Sequence, residues 1–134
     1  MLSVKHLIDT NSLTADDISQ ILDTAASFEE VNKRSIKKVP ALRGRTIVNL
    51  FLEPSTRTKS SFELAEKRLS ADSLSMGGST SSVVKGESLA DTIQTISAMN
   101  VDMFVCRARL AGTPQKIIEN TDAIVINAGD GKHQ

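Results

Sequence analysis

The chain has 134 residues, 40% of them hydrophobic and 24% charged, which fits one globular domain with a modest core rather than a disordered or membrane-embedded segment. Its 16 basic residues balance its 16 acidic ones, so no overall charge advertises nucleic acid or an acidic membrane surface, and any anion site has to be built locally. The lone Cys106, in the apolar run Met103-Phe104-Val105-Cys106, excludes an internal disulfide and is expected to be a buried, inert thiol in a reducing compartment. The opening residues Met1 to His6 carry no long apolar stretch, so neither a signal peptide nor a membrane span is expected, and the cytoplasm is the expected location.

The first predicted element is a helix over 16–32, where Ile18, Ile21, Leu22, Ala25 and Phe28 form one apolar stripe. Thr14 with Asp17 three residues on predicts an N-terminal cap, an acidic variant of the capping box. The basic run Lys33 to Lys38 reads as a solvated helix end. A compact apolar strand over 46–52 follows, then a helix over 56–69 with Phe62, Ala65 and Leu69 on one face. A weaker strand over 73–76 leads into a Gly/Ser-rich loop over 77–82. Ser88 and Asp91 predict the cap of a helix whose Leu89, Ile93 and Ile96 point inward. A strand over 102–106, a short helix opened by Thr113-Pro114 and a strand over 123–126 complete the order.

Continuous rather than alternating apolar strands, separated by helices, predict an α/β fold: a parallel β-sheet of about four strands flanked by helices in a three-layer α/β/α arrangement. The last residues, Asn127 to Gln134, are expected to leave the final strand as a loop, at the sheet end where open α/β sheets collect ligands. The chain stops inside that loop, and truncation is the expected reason.

The sharpest chemical feature is Phe51-Leu52-Glu53-Pro54-Ser55-Thr56-Arg57-Thr58, placed where a strand turns into a helix. Ser55, Thr56 and Thr58 offer hydroxyls beside the unpaired N–H groups of a first helical turn, and those donors with the helix dipole suit a phosphate dianion. Arg57 adds a planar fork able to hold two phosphate oxygens. The same residues also fit an ordinary cap followed by a surface arginine, and the tetrapeptide leaves both readings open. The segment Ser79 to Ser88, with Ser81 and Lys85, fits either a loop delivering hydroxyls and an ammonium to an anion or a plain surface loop. Arg107 and Arg109 are expected directly after a core strand, where a cation can polarise a carbonyl oxygen. His6 is expected at the surface, and nothing near His133 forms a triad. Neither a metal-ligand cluster nor a Gly-x-Gly-x-x-Gly string is present, so no metal and no dinucleotide is expected, and with no Trp or Tyr there is no stacking platform for bases.

Taken together, three strings resemble the transcarbamoylase family. Phe51 to Ala65 is similar to that family's phosphate signature, and Val84-Lys85-Gly86-Glu87-Ser88-Leu89-Ala90-Asp91-Thr92 and Asn127-Ala128-Gly129-Asp130-Gly131 look like its aspartate branch rather than its ornithine branch. The likeness spans essentially the whole chain, which corresponds to the first half of a family member, the carbamoyl-phosphate-binding domain, without the aspartate-binding domain. It implies that Ser55, Thr56, Arg57 and Thr58 hold the phosphate of carbamoyl phosphate, and that Arg107 with Thr58 contacts its carbonyl oxygen. Ser81 and Lys85 would reach a neighbouring subunit's site in a homotrimer. The implied reaction is attack of the L-aspartate amine on the carbamoyl carbon, giving N-carbamoyl-L-aspartate and phosphate in pyrimidine synthesis with no cofactor. The sequence leaves open whether regulatory chains or a dihydroorotase partner bind.

Two departures from the family pattern stand out. Ala108 occupies a place where the family commonly has His. The family string runs on after Gln134 into a catalytic His that this sequence does not contain, so the chain by itself is expected to be inactive. The other readings are a transcarbamoylase for a different amine and a stand-alone, non-catalytic anion-binding module.

Overall fold

Four strands form the sheet among the described residues, and the apolar runs of β1 and β3 are its most buried. In the computed structural model, which describes residues 1–77 and 88–131, the elements follow one another as α1 (Ala15–Glu29), β1 (Thr46–Phe51), α2 (Thr56–Arg68), β2 (Asp72–Gly77), α3 (Leu89–Ser97), β3 (Met103–Ala108), α4 (Thr113–Ile118) and β4 (Ile124–Asp130). The strands pair in the order β2-β1-β3-β4, all parallel, as the apolar runs predict. No helix among the described residues is long and apolar enough to cross a membrane.

Strand alternation divides the core into two layers. Val48, Leu50, Phe104, Cys106 and Val125 face one side, where Ile93 and Ile96 of α3 and Ile117 of α4 cover them. Ile47, Phe51 and Val105 face the other side, with Phe62 of α2 packed against them. Cys106 is fully buried, and desolvation pushes its thiol up to about 12, the inert state expected of it.

Several details of the sequence reading change. The apolar stripe of α1 is not a core face: Ile18 is 40% and Leu22 63% exposed, and Asp17 is the helix's buried residue. The reason is the cap. The Asp17 N–H donates to Thr14 Oγ1 at 3.1 Å, the Thr14 N–H donates back to Asp17 Oδ2 at 3.0 Å, and the Ser3 N–H adds a bond to Oδ1 at 2.8 Å. Helix α2 turns differently from the predicted Phe62-Ala65-Leu69 face. Ala65 is exposed, and the residue that α2 buries is Glu66, which finds polar partners on the sheet. Finally, β4 is longer than predicted, because Asn127 to Asp130 stay in the sheet: Asn127 pairs with Cys106 and Asp130 with Ala108, on either side of a bulge.

The amino-terminal residues lie along the outer side of β4. The Leu7 N–H donates to Val125 O at 2.9 Å, and its carbonyl accepts from the Asn127 N–H at 2.8 Å, forming a parallel bridge to Ile126. His6 is therefore half-buried rather than a surface residue, and its Nδ1 accepts the Val125 N–H at 3.0 Å.

Candidate functional site

The carboxyl ends of β1 and β3 set the site. Phe51 and Arg107 are register partners, and the Leu52 N–H donates to the Arg107 carbonyl at 2.7 Å. Three residues further on, Ser55 stands at the N-cap of α2 (φ −159°, ψ 79°), but its hydroxyl makes no capping bond. Thr56, Arg57 and Thr58 are the first three helical residues, and no acidic side chain lies in that turn. The hydroxyls of Ser55, Thr56 and Thr58 bond to no described residue, and the exposed Arg57 guanidinium forms no ion pair or hydrogen bond among the described residues. An α-helix of 13 residues therefore offers its free amide donors, its positive pole and an uncompensated cation at one place. That combination favours a compact, multiply charged oxyanion.

Arg107 differs from Arg57 in being held. It is the penultimate residue of β3 and not, as the sequence suggested, a residue that follows the strand. Its Nε donates to Glu53 Oε1 at 3.0 Å and its Nη1 to Ala128 O at 2.7 Å. The remaining N–H groups of its fork have no partner among the described residues. Gly129 makes this possible: a Cβ there would sit 2.9 Å from Nη1 and 3.2 Å from Cζ of Arg107, at a φ of +131°. Arg109 reaches the same Glu53 only at 3.9 Å and is 78% exposed along its side chain, so it contributes little. Ala108 is buried among the apolar residues on the α3 and α4 side of the sheet.

The strand end behind Arg107 is braced by Asn127 and Asp130. Asn127 Nδ2 donates to Ile8 O and to Asp130 Oδ1, both at 2.9 Å, while its Oδ1 accepts the Gly129 N–H at 2.8 Å. Asp130 Oδ2 accepts the Gly112 N–H at 2.8 Å, which ties the start of α4 to the same turn. These braces and Glu53 were missed as site residues in the sequence. An acidic residue inside a cationic, hydroxyl-rich string was the signal that pointed to Glu53. Ser81, Lys85 and His133 lie outside the described residues.

A groove of about 700 Å³ lies elsewhere, between the end of α1 and the exposed side of α2. Its lining includes Ala25, Phe28, Leu64 and Leu69, and its one cation, Arg68, is bonded to Asn32 at 2.7 Å. It lacks the convergent donors found at the amino end of α2.

Residues 5–134 match the family model described as aspartate/ornithine carbamoyltransferase, carbamoyl-P binding domain. The chain belongs to the aspartate/ornithine carbamoyltransferase family. It is 55% identical over 132 residues to the aspartate carbamoyltransferase catalytic subunit of Desulfotalea psychrophila, covering 98% of this chain and 42% of that protein. With the corresponding subunit of Desulforapulum autotrophicum it shares 57% identity over 129 residues, which is 96% of this chain and 41% of the other. Among solved structures, the catalytic subunit of M. jannaschii aspartate transcarbamoylase superposes with a TM-score of 0.83 at 41% identity, covering 96% of this chain and 42% of that one. Aspartate transcarbamoylase from Trypanosoma cruzi, in complex with carbamoyl phosphate and aspartate, gives a TM-score of 0.85 at 29% identity over 97% of this chain and 42% of that one. This carbamoyltransferase-family chain thus spans about two fifths of the length of the relatives it matches.

Proposed function

We propose that the chain is the carbamoyl-phosphate-binding domain of an aspartate carbamoyltransferase, which transfers the carbamoyl group to the amine of L-aspartate and releases phosphate. The observation that carries this is the unspent amino end of α2, with free hydroxyls and the unpaired Arg57, next to the held Arg107 on the adjoining strand. High identity to relatives named for aspartate favours aspartate over ornithine as the acceptor.

In this reading Ser55, Thr56, Arg57 and Thr58 seat the phosphate. Neutralising its charge makes it a better leaving group. Arg107, with Thr58, takes the carbonyl oxygen, which becomes an oxyanion as the amine attacks. A cation fixed in advance by Glu53 and Ala128 O stabilises that charge without having to reorganise. Two substrates held in contact also avoid much of the entropic barrier to a bimolecular step. The residues that bind aspartate are assigned to the part of the relatives' length that this chain does not span. Ser81 and Lys85 are proposed to serve a neighbouring subunit's site in a cytoplasmic homotrimer.

Calorimetric titration of the chain with carbamoyl phosphate and with inorganic phosphate tests the proposal. Both are expected to bind. Arg57→Ala should weaken both by roughly ten- to a hundredfold, since a hydrogen bond to a charged group contributes about 1.5–3 kcal/mol. Equal binding by the variant would remove Arg57 from the site.

A further inference from the structure

Glu66 lies near the far end of α2, about 15 Å along the helix axis from its first turn. It is the residue that α2 buries, at 4% exposure, and it faces Asn49 of the central strand β1, which is fully buried. Asn49 Nδ2 donates to Glu66 Oε1 at 2.8 Å, and Ser73 Oγ on β2 donates to the same oxygen at 2.8 Å. Asn49 Nδ2 also lies 3.4 Å from Ser75 Oγ. The apolar grip of α2 is slight by comparison, with Phe62 half-buried and Ala65 and Leu64 exposed. A carboxyl group in the heart of a parallel sheet is costly, and the sequence could have placed a leucine there.

We infer that Glu66, gripped by Asn49 and Ser73, is a positioning residue that sets the rotation and axial register of α2 on the sheet, and thereby the placement of its anion-binding first turn. A helix is stiff, so a slide or roll at one end passes undiminished to the other. An apolar contact tolerates such slippage, whereas two hydrogen bonds to one oxygen do not. The donors of Ser55 to Thr58 need tenths-of-an-ångström placement to meet an oxyanion, so a fixed register matters there more than stability does.

Glu66 Oε2 and Asn49 Oδ1 are both buried without a partner among the described residues. Burial raises the pKa of Glu66 against the opposing pull of its Asn49 and Ser73 bonds, with the neighbouring Glu63 carboxylate adding to the rise. A proton on Glu66 Oε2 would turn one of these two oxygens into a donor and leave Asn49 Oδ1 as an acceptor. Glutamine, which also has one acceptor and an N–H donor, is then the conservative replacement, and leucine is the disruptive one.

The inference rests on the reading of the α2 amino end as the phosphate seat, and the test separates the two. Inorganic phosphate is titrated calorimetrically into the parent chain, Glu66→Gln, Glu66→Leu and Ser73→Ala, each at a temperature where it is fully folded. Glu66→Gln is expected to bind within about threefold of the parent, Glu66→Leu to lose roughly tenfold or more, and Ser73→Ala to lose less than Glu66→Leu. Ser73 is on an edge strand, so its variant reports even if Glu66→Leu does not fold. Amide exchange of Lys59, whose N–H donates to Ser55 O at 3.0 Å, is followed in parallel. It should quicken in Glu66→Leu and in Ser73→Ala but not in Glu66→Gln. Parent-like phosphate affinity in both Glu66→Leu and Ser73→Ala overturns the inference, as does a glutamine variant as weak as the leucine one. If the parent itself ignores phosphate, the phosphate seat is wrong, and unchanged Lys59 exchange in the variants then sinks the positioning role of Glu66 separately.

Discussion

Arg107 and Glu53 hold each other at 3.0 Å across the carboxyl ends of β3 and β1. A carboxylate beside an anion site opposes the ligand's charge, so its place there is explained by what it does to the arginine. It fixes Nε and leaves part of the fork free.

Glu53→Ala is therefore expected to blunt discrimination more than stability. The pair is partly buried, and its loss should cost about 1 kcal/mol in urea denaturation. Affinity for carbamoyl phosphate relative to inorganic phosphate should narrow by roughly fivefold, because only the former offers the carbonyl oxygen assigned to Arg107. An unchanged ratio would show that Arg107 needs no help from Glu53.

Gly129→Ala tests the same arginine from behind. The added Cβ would meet Arg107 Nη1 at 2.9 Å in a backbone conformation that side chains rarely adopt. A loss of about 1–3 kcal/mol is expected on thermal or chemical denaturation. The affinity for carbamoyl phosphate should fall with it, while Gly44→Ala, with open space around its Cβ position, should leave that affinity alone.

His6 should give the chain a mildly acid-labile edge. Burial first, and Lys5 second, lower its pKa from the ordinary 6.5, and its Nδ1 must be unprotonated to accept the Val125 N–H. Below 6.5 the unfolded chain binds more protons at this site than the folded one. Its contribution is thus complete above that pH and is lost as pH falls towards the depressed folded value. His6→Asn, which keeps an acceptor but cannot titrate, should flatten the stability profile in that window.

A second acid window belongs to Asp17. Bonds from Ser3 and Thr14 hold its carboxyl down from 3.8 to about 2. That stabilisation is present above the unfolded value and disappears as pH falls through the folded one. Helix content followed by circular dichroism between pH 4 and 2 should fall earlier in Thr14→Ala, which also costs about 1 kcal/mol at neutral pH.

Cys106 should ignore thiol reagents in the native state. With its pKa at about 12 it presents almost no thiolate at pH 8. Ellman's reagent is expected to react only after denaturant is added, and prompt native-state reaction would place the thiol in a mobile, solvent-reached position.

Much of the fold was readable because burial on both faces leaves a plain mark on a strand. The β1 run Thr46–Phe51 and the caps of Thr14 and Ser88 follow from local chemistry and sit where the sequence put them. The errors came from partners far away in sequence. Nothing local to α1 shows that its apolar stripe faces no sheet, and nothing local to Glu66 shows that Asn49 waits across the sheet from it. The strand end at Asn127 to Asp130 read as a loop because Gly and Asp usually break strands. It stays in the sheet because the Arg107 and Asn127 side chains bind that backbone, while the Asp130 carboxylate ties it to the Gly112 N–H. The hydroxyl- and arginine-bearing turn at the start of α2 was legible as a string, whereas the bonds that hold Arg107 were legible only in three dimensions.

The bridge from Leu7 to β4 joins residues 119 positions apart when read from His6 to Val125. A ribosome adds about 5–20 residues each second, so the amino-terminal arm waits many seconds for the strand it will lie against. Until then β3 has an open flank and Arg107 lacks its bond to Ala128 O. The first turn of α2 can form beside β1 early in synthesis, but the arginine on the neighbouring strand is held from both sides only when β4 is in place.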